Sequence, residues 1–241
     1  MKSLFSNNSV ILRIISAKKY KNVFSPAHIL LSLYFFHTHL QGGRYSLSKF
    51  ILVNESKART IIDCLTNSNL LISSKGRAGS TLTNSGKQLC ENIFNYYKVL
   101  KYDQNWNLGI LSVGNINSLV TIPIDKNYED KINVLELRDQ IIKSGTIGAT
   151  IFHSIKKHGK LESLTFYKKQ EENLELDENY KLAFKSLLEE IKPLLGTLEH
   201  NKSWIIVAGT NNYNKNKSFS KKEMLNSTLL ATIQGILQYG F

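Results

Sequence analysis

Cysteine is scarce in this chain: Cys64 and Cys90 are the two among 241 residues. Neither belongs to a Cys-x-x-Cys pair or a Cys/His cluster, so the spacing of a zinc site is missing. Both fall on apolar helix faces, and two buried, reduced thiols suit a reducing cytoplasm. Long apolar runs are missing too. Residues 10–15 are apolar but short, and Arg13 breaks them, unlike a secretory signal. Nothing approaches the ~20 apolar residues of a membrane helix. The longest candidate, 28–36, reads as a core helix. A cytoplasmic protein without a membrane partner is therefore expected.

Catalytic motifs are equally sparse. There is no His-Glu-x-x-His, no Gly-x-Ser-x-Gly and no phosphate-cradling Gly-Lys-Ser/Thr. Of six histidines, His37 and His39 stand two apart and so point to different faces of a helix. His153 and His158 fall on a strand and its turn, and His28 and His200 stand alone. The acidic run 171–178 reads as a solvated loop and helix start, where acids favour the helix dipole. With no acid/base constellation, the expectation is a protein that is not an enzyme and carries neither metal nor cofactor.

Acids are also rare in the first hundred residues. Glu55, Asp63 and Glu91 stand there against 13 Lys/Arg, a charge of +10. The remaining residues hold 18 Lys/Arg and 16 acids, nearly balanced. A polyanion partner for the first half follows, because lysine and arginine release counterions when they meet phosphates. A lysine-rich surface that serves solubility is the plainer alternative.

The hydrophobic pattern organises this basic half. Residues 10–16 suggest a short helix or arm, followed by basic residues 18–21. Ser25-Pro26 starts a helix over 26–39, with Ile29, Leu30, Leu33, Phe36 and Leu40 inward. Residues 41–44 stop it. Ser46 is expected to cap a second helix over 47–52, with Leu47, Phe50 and Ile51 inward. Asn54 caps a third over 55–68, where Ala58, Ile61, Ile62 and Leu65 form an i, i+3, i+4, i+7 stripe. The opposite face shows Ser56, Lys57, Arg59, Thr60 and Asp63. Short polar side chains let a helix approach base edges, and Lys or Arg reach guanine or phosphate. Two short strands, 69–74 and 80–83, flank the basic turn Lys75-Gly76-Arg77-Ala78-Gly79, a hairpin pattern. Thr83 caps a further helix over 84–101, with Leu89, Cys90, Ile93, Phe94, Tyr97 and Leu100 inward.

The stretch 26–94 resembles the winged helix-turn-helix of MarR- and PadR-like regulators. The carrying residues are Ser56-Lys57-Ala58-Arg59-Thr60-Ile61-Ile62, Asn69-Leu70-Leu71, Lys75 to Gly79, and Leu82-Thr83-Asn84-Ser85-Gly86. The resemblance implies a recognition helix at 55–68, a wing at 75–79 and double-stranded DNA as partner. Arg44, Ser56, Lys57, Arg59, Thr60, Lys75 and Arg77 are the DNA-binding candidates. Many winged helices dock proteins or RNA instead, and that alternative stays open.

Gln104-Asn105 marks a soft boundary, giving domains 1–103 and 104–241. The second half reads as ββαββαβα. It has a hairpin at 108–113 and 119–124, and a helix at 132–143 with Val134, Leu135, Leu137, Ile141 and Ile142 on its apolar positions. Strands at 146–155 and 161–167 follow, then a helix at 177–195 with Leu182, Phe184, Leu187, Leu188 and Ile191 inward. A central strand at 204–208 and a last helix at 219–239 complete it. The fold class expected is α+β, a winged helix-turn-helix followed by a mixed α/β sheet domain. Two places could hold a small-molecule effector. Arg138, Asp139, Gly145 and Gly148 join a helix end to a glycine-spaced strand entry, where glycines permit close approach. Thr210 and Asn211 follow the central strand and precede a long helix. The plainer alternatives are a surface charge pair, a helix cap, close packing and a loop. This half loosely resembles the C-terminal domain of an uncharacterised archaeal family that places a domain of unknown function after a winged helix. A transcription regulator is therefore expected, a homodimer by the symmetry of half-sites, with 84–101 and the last helix as dimerisation candidates. An enzyme tethered to DNA, or a pure scaffold, are the rival readings of the second half.

Overall fold

A computed structural model describes residues 23–74, 79–96, 98–101, 108–124, 132–157, 160–166, 177–195, 202–211 and 220–239. The expected arm at 10–21, the wing tip with Lys75 and Arg77, the boundary pair Gln104-Asn105, and His158 and His200 lie outside them. The fold is α+β. Two compact units divide the chain, Met1–Phe94 with Ile236–Phe241, and Asn95–Gly235. The expected division at 103/104 falls later than this one.

In the first unit α1 (Pro26–His39) begins with Pro26 in its first turn, where a missing N–H costs nothing. Ser25 does not cap by accepting a bond. Its backbone N–H and hydroxyl instead approach His28 Nδ1 at 3.2 and 2.7 Å. Leu40, expected inward, is 74% exposed, because the helix ends at His39 and Leu40 turns into positive φ. A two-residue strand β1 (Gln41–Gly42) follows, then α2 (Arg44–Ile51). This helix starts three residues before the expected position. Ser46 therefore lies inside it and bonds back to Gly43 N and O at 3.1 and 3.0 Å. In α3 (Glu55–Asn67), Asn54 Oδ1 accepts from Lys57 N at 2.8 Å, the expected cap. Ala58, Ile61, Ile62 and Leu65 are all buried. Ile29, Leu33, Phe36, Leu47 and Ile51 are buried as well. Each such Leu or Ile contributes roughly 1.5–3 kcal/mol.

The strands β2 (Leu71–Ser73) and β3 (Ser80–Leu82) pair antiparallel, and β1 joins the far side of β3. The Leu-Thr-x-x-Gly segment then locks α3's exit to α4 (Asn84–Tyr96). Thr83 Oγ1 donates to Asn69 O at 2.7 Å and accepts from Gly86 N at 3.0 Å. A Cβ on Gly86 would stand 2.2 Å from the Leu70 carbonyl oxygen, so glycine is needed there. Cys90 is buried on α4 and its thiol donates to Leu33 O at 3.7 Å.

The expected helix over 84–101 is too long. It ends at Tyr96, and β4 (Lys98–Lys101) is a strand. The expected strand at 108–113 holds instead a 3-10 turn, Gly109–Leu111, and β5 (Ile116–Pro123) pairs with β4 on one side. The remaining elements of the second unit are α5 (Val134–Lys143), β6 (Gly148–Lys157), β7 (Lys160–Phe166), α6 (Glu178–Leu195), β8 (Lys202–Thr210) and α7 (Lys221–Tyr239). The sheet runs β4-β5-β8-β6-β7, antiparallel at every pairing. Residues 203–209 of β8 are all buried, as a central strand requires. Ile205 and Val207 face Phe184, Leu187 and Ile191 of α6. On the other face Ser118 and Thr232 of α7 share a 2.8 Å hydroxyl bond. A Cβ on Gly235 of α7 would press on Ile141 of α5, so these two helices cover that face together. Leu182, expected inward on α6, is 64% exposed, and Leu135 on α5 is exposed as well. Each helix spends a narrower face on the sheet than its apolar count suggested.

Candidate nucleic-acid interface

The stripe that buries one side of α3 leaves its other side to solvent. Ser56, Lys57 and Arg59 are exposed, and Thr60 is half-buried with its hydroxyl donating to Ser56 O at 3.0 Å. Among the described residues neither Lys57 nor Arg59 takes part in an ion pair. Lys57 lies close enough to His28 for its charge to matter. Burial first, and then Lys57, push the His28 pKa below its usual 6.5. Farther along α3, Asp63 is exposed, so the positive part of the face is its N-terminal half.

Arg44 is exposed but not solitary. Its Nε lies 3.3 Å from Glu55 Oε2. Arg44 is the first residue of α2 and Glu55 the first of α3, so the pair brings two helix N-termini together. Both termini carry the positive end of a helix dipole. The structure thus gathers Arg44, Ser56, Lys57 and Arg59 around one helix-terminal surface. Glu55, in sequence only one of three acids in a basic half, is tied to Arg44 by a contact between helices that no local spacing announces.

The effector candidates of the second unit each take part in the local structure. Arg138 and Asp139 are exposed and approach each other at 3.7 Å. Gly145, at φ +120°, ends α5. Thr210 Oγ1 meets Thr228 Oγ1 at 2.7 Å, and Asn211 Oδ1 accepts from Asn115 N at 3.0 Å. Gly148 pairs with Gly209 across β6 and β8, and Val113 sits over this pair. A Cβ on Gly148 would lie 2.7 Å from Val113 Cγ1. Asn117 holds the Val113 turn: its Oδ1 accepts from Val113 N at 2.8 Å, and its Nδ2 donates to Ser112 Oγ at 2.9 Å. A shallow cavity of 210 Å³ lies elsewhere, lined by Leu108, Gly109, Ala183, Ser186, Leu187 and Glu190. It is smaller than the ~300 Å³ at which small-molecule sites usually begin.

Among the described residues the histidines do not converge. His37 stacks near Phe94 at 5.7 Å, His39 on Phe35 at 4.6 Å, and buried His153 meets Trp204 edge-on at 3.8 Å. Among the described residues no three His, Cys, Asp or Glu gather as metal ligands. Nor is any described helix long and apolar enough to cross a membrane.

No protein-family model matches the chain. No curated protein matches it either. Among solved structures it is similar to the hypothetical protein PH0730 from Pyrococcus horikoshii OT3. That protein is 16% identical with a TM-score of 0.52, over 90% of this chain and 99% of the other. At that identity the likeness is one of fold.

Proposed function

We propose that the first unit is a winged helix-turn-helix that binds double-stranded DNA, and that the protein is a transcription regulator. On this reading α3 enters the major groove with Ser56, Lys57, Arg59 and Thr60 toward the bases, and the β2–β3 hairpin is the wing. Lys75 and Arg77 would reach the backbone or minor groove from its tip. One observation carries the reading: Lys57 and Arg59 stand exposed at the start of a helix whose apolar stripe is wholly buried, without an ion pair among the described residues. The +10 charge of the first hundred residues supports it.

The test is a salt-titrated titration of duplex DNA. Affinity should fall steeply with salt, since each phosphate contact contributes about −0.9 to the slope. Replacing Lys57 and Arg59 with Ala should lower the steepness by up to about two units and cost roughly eightfold per lost phosphate contact near 0.1 M salt. Duplex affinity that ignores salt, or is absent at low salt, would remove the DNA reading. It would leave RNA or protein docking in its place.

For the second unit we propose a supporting role, dimerisation. Paired half-sites call for a two-fold protein, and within the unit Arg138 pairs with Asp139, Thr210 with Thr228 and Asn211 with Asn115. Sedimentation should show a dimer at micromolar concentration; a monomer there would leave the second unit as scaffold.

A further inference from the structure

We infer that Glu55 is a positioning residue for Arg44, and that the pair acts as a clamp on a phosphate of duplex DNA. The inference rests on the DNA-binding reading above. An acid beside a phosphate-binding surface is a cost on charge alone. Its place in the first turn of α3 favours the helix dipole, which would by itself account for an acid there. Two details point further. Glu55 stands four residues before Arg59, the spacing at which an acid and a following cation pair well on one helix. Its carboxylate nevertheless lies on Arg44 of the preceding helix, with Oε2 3.3 Å from Nε.

The second detail is which nitrogen is engaged. Nε is the side edge of the guanidinium. The two terminal nitrogens form the fork that matches a phosphate. Among the described residues the Arg44 side chain makes no hydrogen bond and no other ion pair, so the fork stands open to solvent. Holding Nε also removes rotamer freedom that a long side chain would otherwise lose on binding. Arg44 begins α2 and Glu55 begins α3, so the fork is held where two helix N-termini already favour an anion.

The two roles of Glu55 predict opposite signs. A mere charge repels phosphate, so Glu55→Gln would tighten binding. A positioning residue helps Arg44, so Glu55→Gln should weaken it. The measurement is affinity for a short random-sequence duplex across a salt series, for the full chain and for Arg44→Ala, Glu55→Gln, Glu55→Asp and the Arg44→Ala/Glu55→Gln pair. Arg44→Ala should lower the salt slope by about one unit. Glu55→Gln should weaken binding about fivefold in the parent and not at all with Arg44 absent, the signature of coupling. Glu55→Asp keeps the charge and the dipole role but shortens the reach, and should behave like Glu55→Gln. Unchanged urea midpoints set folding aside. Tighter binding by Glu55→Gln, a parent-like Glu55→Asp, or an effect that persists without Arg44 would overturn the inference while leaving DNA binding in place. A parent chain with no salt-dependent duplex affinity would instead overturn the DNA reading and the clamp with it.

Discussion

Replacing Gly209 with Ala tests how tightly the second unit is closed at Val113. The added Cβ would stand 1.4 Å from the Val113 carbonyl oxygen and 2.8 Å from Asn117 Oδ1. Gly209 is not among the positive-φ glycines, so its backbone suits alanine and the cost is steric. To reach an ordinary contact the Val113 turn must retreat by roughly 2 Å, which a close-packed interior does not absorb. The turn is tied by Val113 N to Asn117, by Asn117 to Ser112, and by Asn115 N to Asn211. Losing two of these bonds costs about 1 kcal/mol each, and stranding the amide of Asn117 adds about 1–3. Asn117 is 6% exposed, so water does not readily replace those partners. The expected loss is therefore about 3–5 kcal/mol, a large part of a typical domain's ~5–15. Urea unfolding followed by tryptophan fluorescence reads it, because Trp204 is fully buried on the same strand. Gly43→Ala, where an added Cβ meets nothing within 4 Å, is the control and should cost under about 1 kcal/mol. A Gly209→Ala protein within about 1 kcal/mol of the parent would refute the argument, because the turn would then be free to move.

Two further outcomes follow from single side chains. Burial, with Glu91 adding to it, pushes the Cys90 thiol up to about 12 from 9.0. At a given pH near neutrality it should hold roughly a thousandfold less thiolate than an ordinary cysteine. Alkylation of Cys90 should then require unfolding; rapid labelling of the native chain would contradict the packing of α4 on α1. His28 is held neutral, its Nδ1 accepting from Ser25. Its folded pKa lies below the unfolded 6.5, so its contribution is full above pH 6.5 and is lost as pH falls through the folded value. Glutamine at this third helical position can still accept from the Ser25 backbone but cannot titrate. His28→Gln should thus flatten the fall in urea midpoint between pH 7.5 and 5, and an unchanged slope would show that other groups carry it.

Much of the first unit was set by short-range pattern. The bounds of α1, the Asn54 and Thr83 caps, and the buried stripe of α3 each depend on residues three or four apart. Their physics is the hydrogen bonding and side-chain geometry of one helix. From β5 onward the order of strands and helices in the second unit was legible for the same reason, and so was the central place of the apolar strand around Trp204. Other features needed the packed chain. Lys98–Lys101 is a strand because β5 lies beside it, and nothing in four residues announces a partner twenty residues on. Leu40 stays exposed because the chain leaves α1 before it, and Leu182 because the inward face of α6 is chosen by what packs on it. Gly148 and Gly209 admit Val113, a closeness that exists only once β6, β8 and the turn are assembled. The Arg44–Glu55 pair joins the first residues of two different helices. Local sequence specifies an element's faces and ends; which neighbour each face meets is decided by the summed packing of the whole unit.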